Sequence, residues 1–276
     1  MGFALSAVVT SIAAALAALL YVLGVQRMRR PWPVWRTALF LAGLAALLAA
    51  LGQPIDMLAT QLFSVHMVQH MLLTVAAAPL LLLGAPIRPL LRGLPRIVRT
   101  GVVRPLARAR PIRSLLHALR HPLIAGALYV GGLYAWHLPA LYDAALADDR
   151  IHVAEHAWFF VSALLFWSVV IDPAPFRGTL GYAARLPYLL VAGAAQNTVL
   201  GGLLSFSTRL LYSAYARTPD RFGLDPVTDQ RVGGAVMWVT GDLVFLAAAS
   251  IAFFLWLAEE EEMQRRRERI TVEPRR

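Results

Sequence analysis

Residues 62–83 read Leu62-Phe-Ser-Val-His66-Met-Val-Gln-His70-Met-Leu-Leu-Thr-Val-Ala-Ala-Ala-Pro79-Leu-Leu-Leu-Leu83, a run of bilayer length with two histidines and no formal charge. Apolar residues surround the run instead of marking one stripe, which is the pattern of a helix in lipid and not of a surface helix in water. Hydrocarbon offers the backbone no hydrogen-bond partners, so such a run satisfies its own amides by becoming a helix. Working outward, similar runs bounded by charge, Pro or Gly recur along the chain. They predict an all-α membrane protein, a bundle of seven transmembrane helices over approximately 3–25, 35–51, 62–83, 122–140, 151–171, 186–206 and 232–257. The second is the shortest. Across 276 residues, 58% are hydrophobic and the mean hydropathy is +0.60. No internal repeat is convincing, and the chain reads as one polytopic domain.

Charge orients that bundle. Lys is absent and all 26 basic residues are Arg; 21 of them fall in segments 26–36, 84–121, 172–185 and the tail after 257. Short translocated loops are kept poor in such residues, so these four segments are expected in the cytoplasm, with the N-terminus outside and the C-terminus inside. The first span lacks a basic n-region and is followed by Arg27, Arg29 and Arg30, so it reads as a retained anchor and not a cleaved leader. The net charge of +10 suggests nucleic acid only superficially, because no aromatic residues interleave the arginines. In the basic cytoplasmic loop 84–121, Arg88, Arg92, Arg96 and Arg99 recur at helical spacing beside Leu and Ile, a pattern suited to anionic lipid. The charged tail 258–276 reads as a solvated extension of the last helix.

With no cysteine in the chain, disulfides, thiolate metal sites and thiol relays are excluded. Histidine supplies the metal chemistry instead. His66 and His70 are one helical turn apart, about 6 Å along the axis, and His152-Val-Ala-Glu155-His156 repeats the spacing at the start of the fifth run. His137 lies near the outer end of the fourth. Five of the seven histidines are thus expected at one outer depth, while His117 and His121 fall on the cytoplasmic side. Histidine within a span is costly, and several neutral imidazoles at one level form a ready transition-metal site. Glu155, Asp229, Gln230 and Met237 lie near that level as accessory candidates, with Asp56, Asp143, Met57, Met67 and Met71 close in sequence. Thioether with imidazole favours Cu(I), and carboxylate with imidazole favours Zn or Fe. Met67 and Met71 stand about 100° around the helix from the histidines, which favours packing. Asp242, Gln196 and Asn197 lie deeper; Asp242 is expected either to join helices or to orient an imidazole. The external loop 207–231, with Tyr212 and Tyr215, reads as a lid over the histidines or as a partner-facing surface.

Several of these segments together resemble a known family. Ser64-Val-His66-Met-Val-Gln-His70, Pro79-Leu-Leu-Leu-Leu-Gly84-Ala-Pro86, Trp136-His137-Leu-Pro139 with Leu141-Tyr142, His152-Val-Ala-Glu155-His156 with Phe166-Trp167, and Asp229-Gln230 with Gly233-Gly234 and Met237-Trp238 occur in order. They resemble the CtaG-like multi-pass assembly factors of caa3-type cytochrome c oxidase, over roughly residues 60–245. The resemblance implies a protein of the bacterial cytoplasmic membrane with no enzymatic activity, which acts in maturation of a haem-copper oxidase. It carries the family's histidine pattern onto His66, His70, His137, His152 and His156, with copper as the expected ion. The implied partners are the oxidase subunit carrying the copper centre and an external copper donor. Rival readings use the same histidines: a zinc hydrolase, since His152-x-x-Glu155-His156 matches the inverted zinc-protease pattern, a haem redox protein, or a transporter.

Overall fold

The computed structural model describes residues 2–173, 178, 180–216 and 223–272, with side chains from 8 to 269 within that set. Every regular element among the described residues is a helix, with no strand. Helices α1 (Gly2–Gln26) and α2 (Val34–Leu51) are followed by the short α3 (Ile55–Ala59) and by α4 (Phe63–Leu83), whose turns over Leu72–Ala77 are wide, with i→i+5 spacing. Short helices α5 (Ile87–Gly93), α6 (96–108) and α7 (Arg110–Leu119) carry the basic segment. Then come α8 (Pro122–Trp136), α9 (Pro139–Ala147), α10 (Asp149–Ile171), α11 (Tyr182–Ser205) and the long α12 (Pro226–Val272).

Among the described residues, six helices are long and apolar enough to cross a bilayer: α1, α2, α4, α10, α11 and α12. The expected fourth span, 122–140, does not run straight. It stops at Trp136 and turns by 77° into α9. The cause is local, because Pro139 disfavours helical geometry at the residue before it, and Leu138 is extended at φ −65, ψ 128. Counted as one broken span, α8 and α9 would make a seventh.

The helix that opened the sequence argument is the hub of the bundle, with α4 touching α2, α3, α10 and α12. Its apolar core with α8, α10, α11 and α12 includes Phe63, Met67, Met71, Tyr129, Phe159, Phe166, Trp167 and Phe245, all buried. At two glycines α11 and α12 approach closely: a Cβ on Gly234 would lie 2.7 Å from the Leu204 Cβ and one on Gly201 2.8 Å from Gly234 O. A second, smaller cluster joins α1 and α2 to α4 through stacked Tyr21 and Phe40.

α4 and α10 run parallel, since His66 meets His152 at one end while Trp167 Nε1 donates to Thr74 O at 2.9 Å further along. Beyond α10, at the end away from the histidines, Asp172 pairs with Arg185 and lies 4.0 Å from Arg120, which also donates to Ser168 O at 3.0 Å. The basic segment is helical and largely exposed, with apolar Ile97, Val102, Leu106 and Leu115 on its surface beside the arginines. It is tied to the α1 end by Arg27, which donates to Gly93 O at 2.9 Å, and by Arg92, which donates to Arg27 O at 3.1 Å.

Candidate metal centre

Parallel α4 and α10 set their histidine pairs against each other. One nitrogen each of His66, His70 and His156 and one oxygen of Glu155 lie within 4.8 Å of one another, all four residues buried. Glu155 is fully enclosed, yet neither carboxylate oxygen has a hydrogen-bond partner. Its nearest cationic candidates are His66 Nε2 at 3.8 Å and His70 Nε2 at 3.7 Å. Burying a carboxylate without hydrogen bonds costs several kcal/mol in order of magnitude, a cost that a bound cation or a proton on the carboxyl group removes.

The ring nitrogens are prepared to supply lone pairs. Tyr215 Oη donates its single proton to Ala59 O at 2.8 Å. His66 Nδ1, 2.9 Å from Tyr215 Oη, therefore donates to that hydroxyl oxygen, as does Tyr142 Oη at 3.3 Å. Burial pushes the Tyr215 phenol well above its usual range, which keeps that proton in place. With Nδ1 carrying hydrogen, His66 Nε2 holds a lone pair on the side of Glu155. Such second contacts fix tautomer and ring orientation in metal sites generally.

The remaining expected ligands flank this group. His152 lies 5.2 Å from His66 and 4.2 Å from His156 between ring centres. With His156 and Asp56 it lines a cavity of about 210 Å³ bounded by residues of α1, α2, α4 and α10. His137 sits on the other flank, 6.2 Å from His70 between ring centres. Its Nδ1 donates to Leu133 O at 2.7 Å, so its buried Nε2 carries the free lone pair, with no hydrogen-bond partner. His117, on α7, and His121, just before α8, are exposed and away from this group.

Asp229, Gln230 and Asp143 act on backbone. Asp229 at the start of α12 caps α4 from outside it: Phe63 N donates to Oδ2 at 2.6 Å, and Ser64 N at 3.2 Å and Ser64 Oγ at 2.5 Å donate to Oδ1. The first turn of a helix leaves amides without intrahelical partners, and this carboxylate takes two of them. Gln230 accepts from Leu211 N at 2.7 Å and donates to Arg209 O at 3.1 Å, holding the external loop. Asp143 accepts from Ser213 Oγ at 2.6 Å and Ala214 N at 3.3 Å, which anchors the turn Ser213–Tyr215. Together they deliver Tyr215 to His66 and Tyr212, whose hydroxyl donates to His137 O at 3.1 Å. Residues 207–216 thus cover the histidine level; 217–222, including Arg217 and Arg221 of the expected outer loop, lie outside the described residues, as does Arg177 of the 172–185 segment.

Asp242 accepts from Thr198 Oγ1 at 2.6 Å, a helix-to-helix contact between α12 and α11. Asn197 is buried against Gly241, and Tyr134 Oη donates to Gln196 at 2.8 Å. Met57 is exposed on α3, whereas Met67, Met71 and Met237 are buried beside His70 and His137.

Two further residues shape the site. Gln69, fully buried, donates to Asp56 Oδ1 at 3.1 Å and to Ala50 O at 2.8 Å, bracing the cavity wall beside the centre. Its position between the two histidines was the available sign. Tyr215 belongs to the loop that reads as a lid over the histidines, but its pairing with His66, 149 residues away, had no sign of its own.

Residues 19–259 match the family described as cytochrome c oxidase caa3 assembly factor. Relatives include uncharacterized proteins of Mycobacterium bovis and Mycobacterium tuberculosis, each 30% identical over 260 residues, and one of Mycobacterium leprae, 28% identical over 261. These matches cover 90% of this chain but span only 38% of the relatives' length. No solved structure matches significantly. The order of motifs through α4, α8, α10 and α12 and the match over 19–259 agree, and the chain belongs to the cytochrome c oxidase caa3 assembly factor family.

Proposed function

We propose that the chain holds copper for a haem-copper oxidase at His66, His70, His156 and Glu155, with His137 and His152 as flanking ligands, and passes it on during assembly. The observation that carries this reading is Glu155, a fully buried carboxylate with no hydrogen-bond partner and three imidazoles around it. A bound cation supplies the charge that this group lacks. For a first-row ion with ligands at about 2.0–2.1 Å, tetrahedral ligand atoms stand about 3.4 Å apart, so the observed 4.8 Å limit describes a slightly open set that side-chain closure completes.

Copper is favoured over zinc by the family's role with an oxidase whose own centre contains it. A structural zinc site has four strong ligands and is closed; here the cavity touching His152 and His156 leaves a way in and out. In this reading the chain lies in the bacterial cytoplasmic membrane with seven spans, α8 and α9 forming the broken fourth. The arginine bias supports an orientation with the N-terminus outside, the C-terminus and α5–α7 in the cytoplasm against anionic lipid, and the histidines on the side of an external copper donor. The role is that of a metal carrier without catalysis, and its partner is the oxidase subunit that carries the copper centre.

Cells lacking the chain are expected to build an oxidase deficient in copper, restored by the parent sequence but not by Glu155→Gln produced at equal level. Copper analysis of the purified oxidase decides this, and full copper content without the chain would remove the role. A finer expectation concerns Tyr215→Phe, which deprives His66 Nδ1–H and Ala59 O of their shared partner. Loss of such an orienting contact lowers metal affinity by about 10–100-fold. Competition titration of the purified variant against a chromogenic chelator measures it.

A further inference from the structure

On the side of His70 away from α2, the bundle encloses a void of about 10 Å³, the size of a single water or ion, lined by residues of α4, α8, α10 and α12. Its walls include His70, His137, Met67, Met71 and Met237. Three methionines, each at most 6% exposed, line it together with the two histidines. His137 Nε2 is buried without a hydrogen-bond partner, its lone pair left by the Nδ1 bond to Leu133 O. Neither ring nitrogen of His70 has a partner.

Packing alone accounts for buried methionines, but not for an imidazole nitrogen kept in its acceptor form in an otherwise apolar chamber. An unsatisfied buried acceptor costs about 1–3 kcal/mol. A soft monovalent cation satisfies it, since thioether and imidazole are the donors such ions prefer, whereas Zn(II) prefers the imidazole and carboxylate set across His70.

We infer that this chamber is a second position for the same ion, a thioether-imidazole subsite selective for Cu(I)-like cations and formed by Met67, Met71, Met237, His137 and His70. The inference rests on the proposed metal-carrying role and adds a step to it. A neutral imidazole has one lone pair, so His70 serves one position at a time. One ion therefore exchanges between a harder ligand set containing Glu155 and a softer one containing sulfur, with no change in oxidation state.

Ag(I), redox-inert and soft, tests this by X-ray absorption on the purified full chain. With no cysteine present, any sulfur shell around the ion must come from methionine. The parent chain is expected to show Ag–S scattering, and the isosteric Met67→Leu/Met71→Leu/Met237→Leu variant to lose it while still binding Zn(II) through nitrogen and oxygen only, which also shows that the variant is folded. Silver bound in the parent through nitrogen or oxygen alone overturns the subsite and leaves the Glu155 centre standing. Sulfur-ligated silver with no Zn(II) binding supports the subsite and removes the centre. Binding of neither ion overturns both.

Discussion

Replacing Glu155 with glutamine is expected to stabilise the metal-free protein and weaken the metal-bound one, an opposition of signs that a purely structural residue does not produce. In the apo chain the carboxylate is enclosed with neither oxygen hydrogen-bonded. An amide carries no charge and offers N–H donors to the lone pair of His66 Nε2, one of the two nearest ring nitrogens. The gain expected from ending one such mismatch is about 1–3 kcal/mol, visible as a rise in thermal midpoint in detergent. The same change removes the one anionic ligand, and affinity for Zn(II), a redox-inert reporter of this ligand set, is expected to fall on the order of 100-fold, at the upper end of the range for outer contacts. Isothermal titration on the same preparations reads both effects. A variant that loses stability and keeps affinity would make Glu155 a packing residue.

The second large effect is expected at Asp229. Its carboxylate takes the amides of Phe63 and Ser64 and the Ser64 hydroxyl at the start of α4, three residues before His66. Asp229→Ala leaves two buried amides and a hydroxyl without their acceptor. Removing an ordinary N-cap costs about 0.5–2 kcal/mol, and each buried donor left stranded costs about 1–3 kcal/mol, so a loss of at least about 3 kcal/mol is expected. The loss is local to the histidine end of α4, because α12 remains packed on α11 through Gly234 and Gly201. Hydrogen exchange should therefore rise first over 63–70, and metal affinity should fall with it. Asp229→Asn retains one acceptor oxygen and is expected to lose about half as much. Uniform loss of protection along α4 and α12 together would instead make Asp229 a general stabiliser of the bundle.

How much of this was legible in the sequence divides by range. The apolar runs announced α1, α2, α4, α10, α11 and α12, because in lipid the helix is dictated by composition alone. The histidine spacing fixed which residues share a turn, and the parallel packing of α4 and α10 then brought His66, His70 and His156 together. Pro139 carried the sign of the break in the fourth run, but span length hid it: 122–140 is long enough to read as one straight helix. The individual long-range pairings left no sign, although the loop with Tyr212 and Tyr215 reads as a lid over the histidines and Asp229 as a neighbour of their level. Tyr215 and Asp229 reach residues 149 and 166 positions earlier, and no local pattern encodes such pairings. Met67 was set aside as packing because it points away from the histidine face. In a helix at the rim that argument holds; α4 is the hub, so the face beyond the histidines meets α8 and α12 with His137 and Met237.

The most direct measurement of the central claim is the copper stoichiometry of the purified full chain after anaerobic Cu(I) loading and removal of loosely held metal, beside His70→Ala and His156→Ala. One ion per parent chain is predicted, with less than about a tenth of that retained by His70→Ala, which both positions share, and a clear loss in His156→Ala. Equal copper in all three proteins would contradict the account.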